Sequence, residues 1–125
     1  MGGFALGKLQ SREEIYRLVF TAVCRRRPIA AVYDGAVRRL CPHVLGYDGL
    51  GEHRVFCYQY GGESRSGPQP RMGAGIWRCL SLDKLAHVEL LDGDWQTEPH
   101  GPQHCVRHVE IAAEDQPDRE PQNGQ

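Results

Sequence analysis

The chain has no apolar run long enough to cross a bilayer, which excludes a spanning helix. It has no Cys-x-x-Cys pair. Its five cysteines, Cys24, Cys41, Cys57, Cys79 and Cys105, are odd in number and widely spaced. That pattern argues against a disulfide framework and fits a reducing compartment. No basic segment followed by an apolar stretch opens the chain, so a signal peptide is not expected and the expected compartment is the cytoplasm. There is no internal repeat, and no phosphate-loop spacing among the glycines. A large net charge is lacking too, since fifteen Lys and Arg face sixteen Asp and Glu. A dedicated nucleic-acid binder shows a much stronger basic signature.

What charge there is lies unevenly. The first sixty residues carry nine Lys or Arg against five acids, and the remainder six against eleven. Much of the negative charge sits in the last stretch, EIAAEDQPDREPQNGQ. A mildly basic body is compatible with an anionic partner. The composition divides the chain into an extension at 1–10, a domain at 11–112 with a leading helix over 11–26, and an acidic, disordered tail at 113–125.

The helix is signalled by a capping box, Ser11 with Glu14 three residues on. Ile15, Leu18, Val19, Ala22 and Val23 then recur on one face. Arg25, Arg26 and Arg27 suit the negative end of the helix dipole, and Pro28 stops it. Everything after reads as strand. IAAVY and VRRLCPHVL flank Asp34-Gly35, a strong hairpin signal. RVFCYQY, IWRCLSL, LAHVELL and VRHVEIA follow, with a long Gly/Ser/Pro loop over 61–75 and a tight connection at Asp83-Lys84. No helix separates the strands, so a doubly wound α/β fold is not expected. The expectation is a mainly β chain: a small five- or six-stranded Sm-like or SH3-like barrel preceded by one N-terminal helix.

These features, in this order, resemble the WYL domain, a small barrel found mostly in bacterial transcription regulators. The resemblance runs from Ile15 to Leu91. A helix leads into RRRPIAAVYDG. RLCPHVL matches an Arg-x-x-Pro-x-x-Leu element, placing Arg39, Pro42 and Leu45. WRCLSLDKLAHVELL matches an Arg-bearing strand leading to Leu-Asp-Arg-Ile, placing Arg78, Leu82, Asp83, Lys84 and Leu85. The Trp-Tyr-Leu triplet is absent, and His53, Arg54 and Val55 stand in its register. No winged helix precedes the barrel, so the resemblance implies a free-standing, sensor-like or partner-binding module and not a complete transcription factor.

Three chemistries compete for the stretch RRLCPH. Cys41 and His43, two apart on a strand, can share a face, but a nucleophilic Cys needs a base oriented by a third group and none is visible. The bland reading is a small core-adjacent Cys and a surface His. Cys41, Cys57 and Cys79 lack metal-ligand spacing, and His100, His104 and His108, spaced every four residues around Cys105, are opposed as a helical metal face by Gly101-Pro102. No metal or cofactor is expected. The arginines are the better candidates. Arg39 and Arg78 lie on largely apolar strands and must find an anion or an acceptor. Either they grip a ligand phosphate or carboxylate, or they form internal salt bridges with Asp83 or Glu89. Tyr33, His43, Tyr58, Ser64, Ser66 and Lys84 complete the expected ligand-binding set, with the tyrosines as stacking surfaces.

The expected function is a non-enzymatic module that recognises a nucleotide, a short oligonucleotide or another small anion. The alternative is a protein-interaction barrel, a homodimer or the partner of a transcription regulator, with no small ligand. A membrane partner is not expected.

Overall fold

The computed structural model describes residues 9–64, 67–68 and 75–117. Helix α1 spans Arg12–Arg25. The capping box forms as written, with Ser11 Oγ accepting from the Glu14 N–H and Glu14 Oε1 accepting from the Ser11 N–H. Ile15, Val19, Ala22 and Val23 are buried, and Leu18 packs against the core only in part. The helix ends at Arg26, which takes the left-handed conformation with φ 52°.

The strands are β1 (Ile29–Tyr33), β2 (Ala36–Tyr47), β3 (His53–Ser64), the two-residue β4 (Gly67–Pro68), β5 (Ile76–Ser81), β6 (Ala86–Leu90) and β7 (His108–Ala112). All pairings are antiparallel. Asp34 and Gly35, both at positive φ, close the β1–β2 hairpin with Tyr33 opposite Ala36. The β2–β3 turn is organised by Asp48, whose Oδ1 accepts from the N–H groups of Leu50 and Glu52 while Oδ2 accepts from Arg54 Nε. Part of the expected 61–75 loop is strand, because β3 continues to Ser64 and pairs with β4.

The main path runs β6-β1-β2-β3-β5. Strand β2 changes partner midway along one edge, pairing with β1 over Ala36–Leu40 and with β7 over Val44–Tyr47. Two irregularities interrupt its pairing with β3. One lies between Arg39 and Leu40, the other between Pro42 and Val44. The second is where a proline without an N–H can be tolerated in a central strand, and it leaves His43 as the extra, bulged residue. Gly46 lets β7 come close, since a Cβ there would lie 2.1 Å from the His108 carbonyl oxygen.

The mainly β class with one leading helix is what the sequence predicts. The expected barrel, however, is not closed among the described residues. No backbone ladder joins β5 to β6, because the chain turns between them through a 3-10 segment, Leu82–Lys84. Side chains occupy the two free edges instead. Tyr33 Oη accepts from the Ser81 N–H on β5, at 3.0 Å. The Gln10 amide binds both the N–H and the C=O of Val88 on β6, each at 2.8 Å. A side-chain amide thus stands in for a neighbouring strand and leaves that edge satisfied.

The core lies between the inner face of the sheet and α1, and centres on Ile29, Leu40, Leu45, Val55, Cys57, Leu80, Leu82, Val19 and Val23. The stretch placed in the tail is partly docked. Ala113 is buried, and Arg26 donates to the carbonyl oxygens of Ala113, Gln116 and Pro117. The remainder of the expected tail, 118–125, lies outside the described residues.

One disulfide corrects the reading of the cysteines. Cys79 and Cys105 are bonded, with Cα atoms 5.8 Å apart. Cys24, Cys41 and Cys57 are free thiols. The two bonded residues are 26 apart in sequence and only the fold brings them together. Among the described residues no helix is long and apolar enough to cross a membrane.

Candidate functional site

Side chains alternate along a strand, so the parity of Leu40 decides which arginine enters the fold. Leu40 is fully buried, and Arg38, two residues earlier, shares its face and is 3% exposed. Arg39 points the other way, is exposed, and lies over Gly61 on β3. The expected pair Arg39 and Arg78 is therefore not brought together. Arg38 and Arg78 are.

They meet on Gln59 of β3, which is completely buried. Its Oε1 accepts from Arg78 Nε at 3.0 Å and from Arg38 Nη1 at 3.3 Å. The Nε and Nη2 atoms of Arg38 also donate to the Tyr33 carbonyl oxygen, and its guanidinium stands 5.3 Å from the centre of the Tyr33 ring. Gln59 Nε2 has no hydrogen-bond partner among the described residues, although it is buried. Arg78 is held through Nε alone, and its two terminal nitrogens make no hydrogen bond with the described residues. Neither acid expected as a salt-bridge partner serves Arg78. Asp83 pairs with Arg12, and Glu89 sits exposed on β6 opposite Ala30. A guanidinium aligned on one edge and open on the other presents the fork that matches a carboxylate or phosphate.

The remaining expected residues are dispersed. Tyr33 is adjacent, through its carbonyl and ring. Tyr58 is buried and faces the opposite side from Gln59, with Oη accepting from the Gly75 N–H. Lys84 is exposed on the 3-10 turn. Ser66 lies outside the described residues, as does the side chain of Ser64.

His43 is not the surface residue expected. The bulge aims it outward, and segment 91–107 covers it. A carbonyl only accepts, so Nδ1–H donates to Cys41 O at 2.7 Å, and Nε2 takes the Thr97 hydroxyl at 2.8 Å. Its ring meets Trp95 at 4.6 Å and Trp77 edge-on at 4.7 Å. Burial holds its pKa down at about 4, against a smaller opposing effect of the Cys41 carbonyl. It is a neutral, weakly basic imidazole at neutral pH. Cys41 is buried, its Sγ accepts from the Gln96 N–H at 3.3 Å, and burial pushes its thiol up to about 11. A buried thiol of that kind is no nucleophile. Cys41 and His43 thus do not form a nucleophile–base pair.

A second histidine, which the sequence marks only as standing in the register of the absent triplet, is better oriented. His53 is buried beneath α1 and stacks on Tyr47, with ring centres 4.1 Å apart. Arg12 Nη2 can only donate, so it meets the lone pair of His53 Nδ1, at 3.4 Å, and Nε2–H donates to Glu110 Oε1 at 3.0 Å. Burial first, and then the charge of Glu110, raise the pKa of the neighbouring Tyr16. These groups line a cleft of about 410 Å³. Both ring nitrogens are used, Nδ1 by a guanidinium and Nε2 by a carboxylate.

Among the described residues no three His, Cys, Asp or Glu side chains are grouped so as to hold a metal. His100 rests on Trp77 and Phe56, His104 is exposed, and His108 lies on β7 opposite Tyr47. Arg38 could have been found by counting alternate residues back from Leu40. Gln59 and the disulfide carry no comparable local signal. No protein-family model, curated protein or solved structure matches this chain.

Proposed function

We propose that the chain is a non-enzymatic, WYL-like binding module that takes a small anion at the Arg38–Gln59–Arg78 end of the sheet. A nucleotide or short oligonucleotide phosphate is the ligand class that fits the resemblance and the guanidinium fork. The observation that carries the reading is Arg78. Its Nε is tied to buried Gln59, so the group is oriented before any ligand arrives, and its terminal nitrogens are left for one. Arg38 adds a second positive charge on the same acceptor.

The test is a thermal-shift titration with nucleotides, cyclic dinucleotides and short single-stranded oligonucleotides at 50 and 200 mM salt. A ligand at 100 times its Kd adds about 2.7 kcal/mol, roughly a ten-degree rise for a domain of this size. The rise is expected to shrink with salt as phosphate contacts are screened. Arg78→Ala is expected to abolish it without changing the far-UV spectrum, and Arg39→Ala to leave it intact. No shift with any probe, together with a dimer on sedimentation, would favour a protein-interaction module instead.

A further inference from the structure

Between β6 and β7 the chain crosses the outer face of the sheet without helix or strand. Residues 92–94, 96–102 and 104 are exposed, so the crossing buries little of itself. It is tied at its ends by two backbone bonds, Leu91 N–H to Pro28 O and Arg107 N–H to Tyr47 O, both 2.8 Å. Its first half is held by Trp95 against His43, by Gln96 on Cys41, and by Thr97 on His43. Among the described residues, its second half has few polar ties besides the Cys79–Cys105 bond. His100 leans on Trp77 and Phe56 at 4.5 and 5.1 Å, and among the described residues Gln103 bonds to the nearby Val106 alone.

That bond is reachable. Cys79 lies exposed on β5, which among the described residues pairs only with β3, whereas Cys41 and Cys57 are buried. Beneath the crossing, Phe56 stacks on Trp77 at 4.8 Å and Tyr58 lies against the same indole. We propose that Cys79–Cys105 is a thiol–disulfide exchange site whose state decides whether residues 98–105 cover this aromatic face.

The co-reactant is a dithiol. One of its thiolates attacks Cys79 Sγ, forming a mixed disulfide and expelling the Cys105 thiolate, which takes up a proton. The second thiol of the reagent, deprotonated, then attacks its own sulfur in the mixed disulfide and releases Cys79. The dithiol leaves as a cyclic disulfide, having supplied two electrons and two protons. Exposed disulfides are the class that undergoes such exchange. Once it is broken, the second half of the crossing keeps, among the described residues, ring contacts and a local turn, while the strand pairings and α1 do not run through the bond.

The test uses the full oxidised chain carrying Trp95→Phe, so that Trp77 is the sole indole. It is titrated with dithiothreitol. Maleimide labelling is expected to rise from one accessible thiol, Cys24, to three. Acrylamide quenching of Trp77 is expected to rise at least threefold, with the far-UV spectrum unchanged. Cys105→Ser without reductant, in the same background, is expected to reproduce the reduced quenching. Three results would overturn the proposal: equal quenching in both states, a bond that dithiothreitol leaves intact, or loss of the far-UV spectrum on reduction. The last would make the bond a staple of the fold. None of these readings depends on whether an anion binds.

Discussion

Acidification between pH 7 and 4.5 perturbs one buried group above all. His43 has a pKa of about 4 in the folded chain and an ordinary value of 6.5 when unfolded. In that window the unfolded chain binds a proton at His43 that the folded chain does not, so stability must fall as pH falls. Relative to pH 8 the loss is about 1.4 kcal/mol at pH 5.5 and about 2.6 kcal/mol at pH 4.5. Above pH 7 the contribution is complete and flat. The cause is physical: protonating Nε2 would set a charge between Trp77 and Trp95 and forfeit the hydrogen bond it accepts from Thr97. Urea unfolding followed by far-UV circular dichroism at pH 8, 5.5 and 4.5 measures the loss. The comparison is His43→Asn, which cannot titrate there. Carboxylates titrate in both proteins and cancel, so the difference in slope isolates the imidazole. Parallel loss of stability in the two proteins would refute the reasoning, as would an NMR titration of His43 with a midpoint near 6.5.

Gly62 has φ 89° and would place a Cβ 2.4 Å from the Val37 carbonyl oxygen, so Gly62→Ala is expected to cost about 3 kcal/mol in urea unfolding. Ser11→Ala removes one half of the capping box and is expected to cost about 1 kcal/mol, read the same way. Gln59→Leu strips two guanidinium groups of their shared acceptor and is expected to cost about 2–3 kcal/mol. Asp83→Asn, by contrast, breaks an ion pair with both partners largely in solvent, and its effect is expected to stay below about 1 kcal/mol.

The elements themselves were legible because their causes are local. Ser11 and Glu14 cap a helix wherever they sit at its start, and Asp34-Gly35 turns a hairpin through its own dihedrals. The strand cores IAAVY, RVFCYQY and AHVEL follow from side-chain type and alternation. The candidate site was half legible. Arg78 reaches the interior acceptor as its strand pattern suggested, but Arg39 does not, and Arg38 takes its place. The error is one residue of strand phase, and the buried Leu40 two positions on contains the correction.

By itself, then, the sequence determined one capped helix, a run of antiparallel strands, and basic groups embedded among apolar ones. Each of these depends on neighbours within a few residues. Tertiary structure alone decided that the sheet stays open, with Tyr33 and Gln10 occupying its free edges. It also decided that Gln59 gathers Arg38 and Arg78, that a bulge at Pro42 turns His43 under the crossing segment, and that Cys79 finds Cys105. Those outcomes join residues 19 to 78 positions apart. Local propensity has no term for such distances, because the register of the sheet and the close packing of its faces set them together.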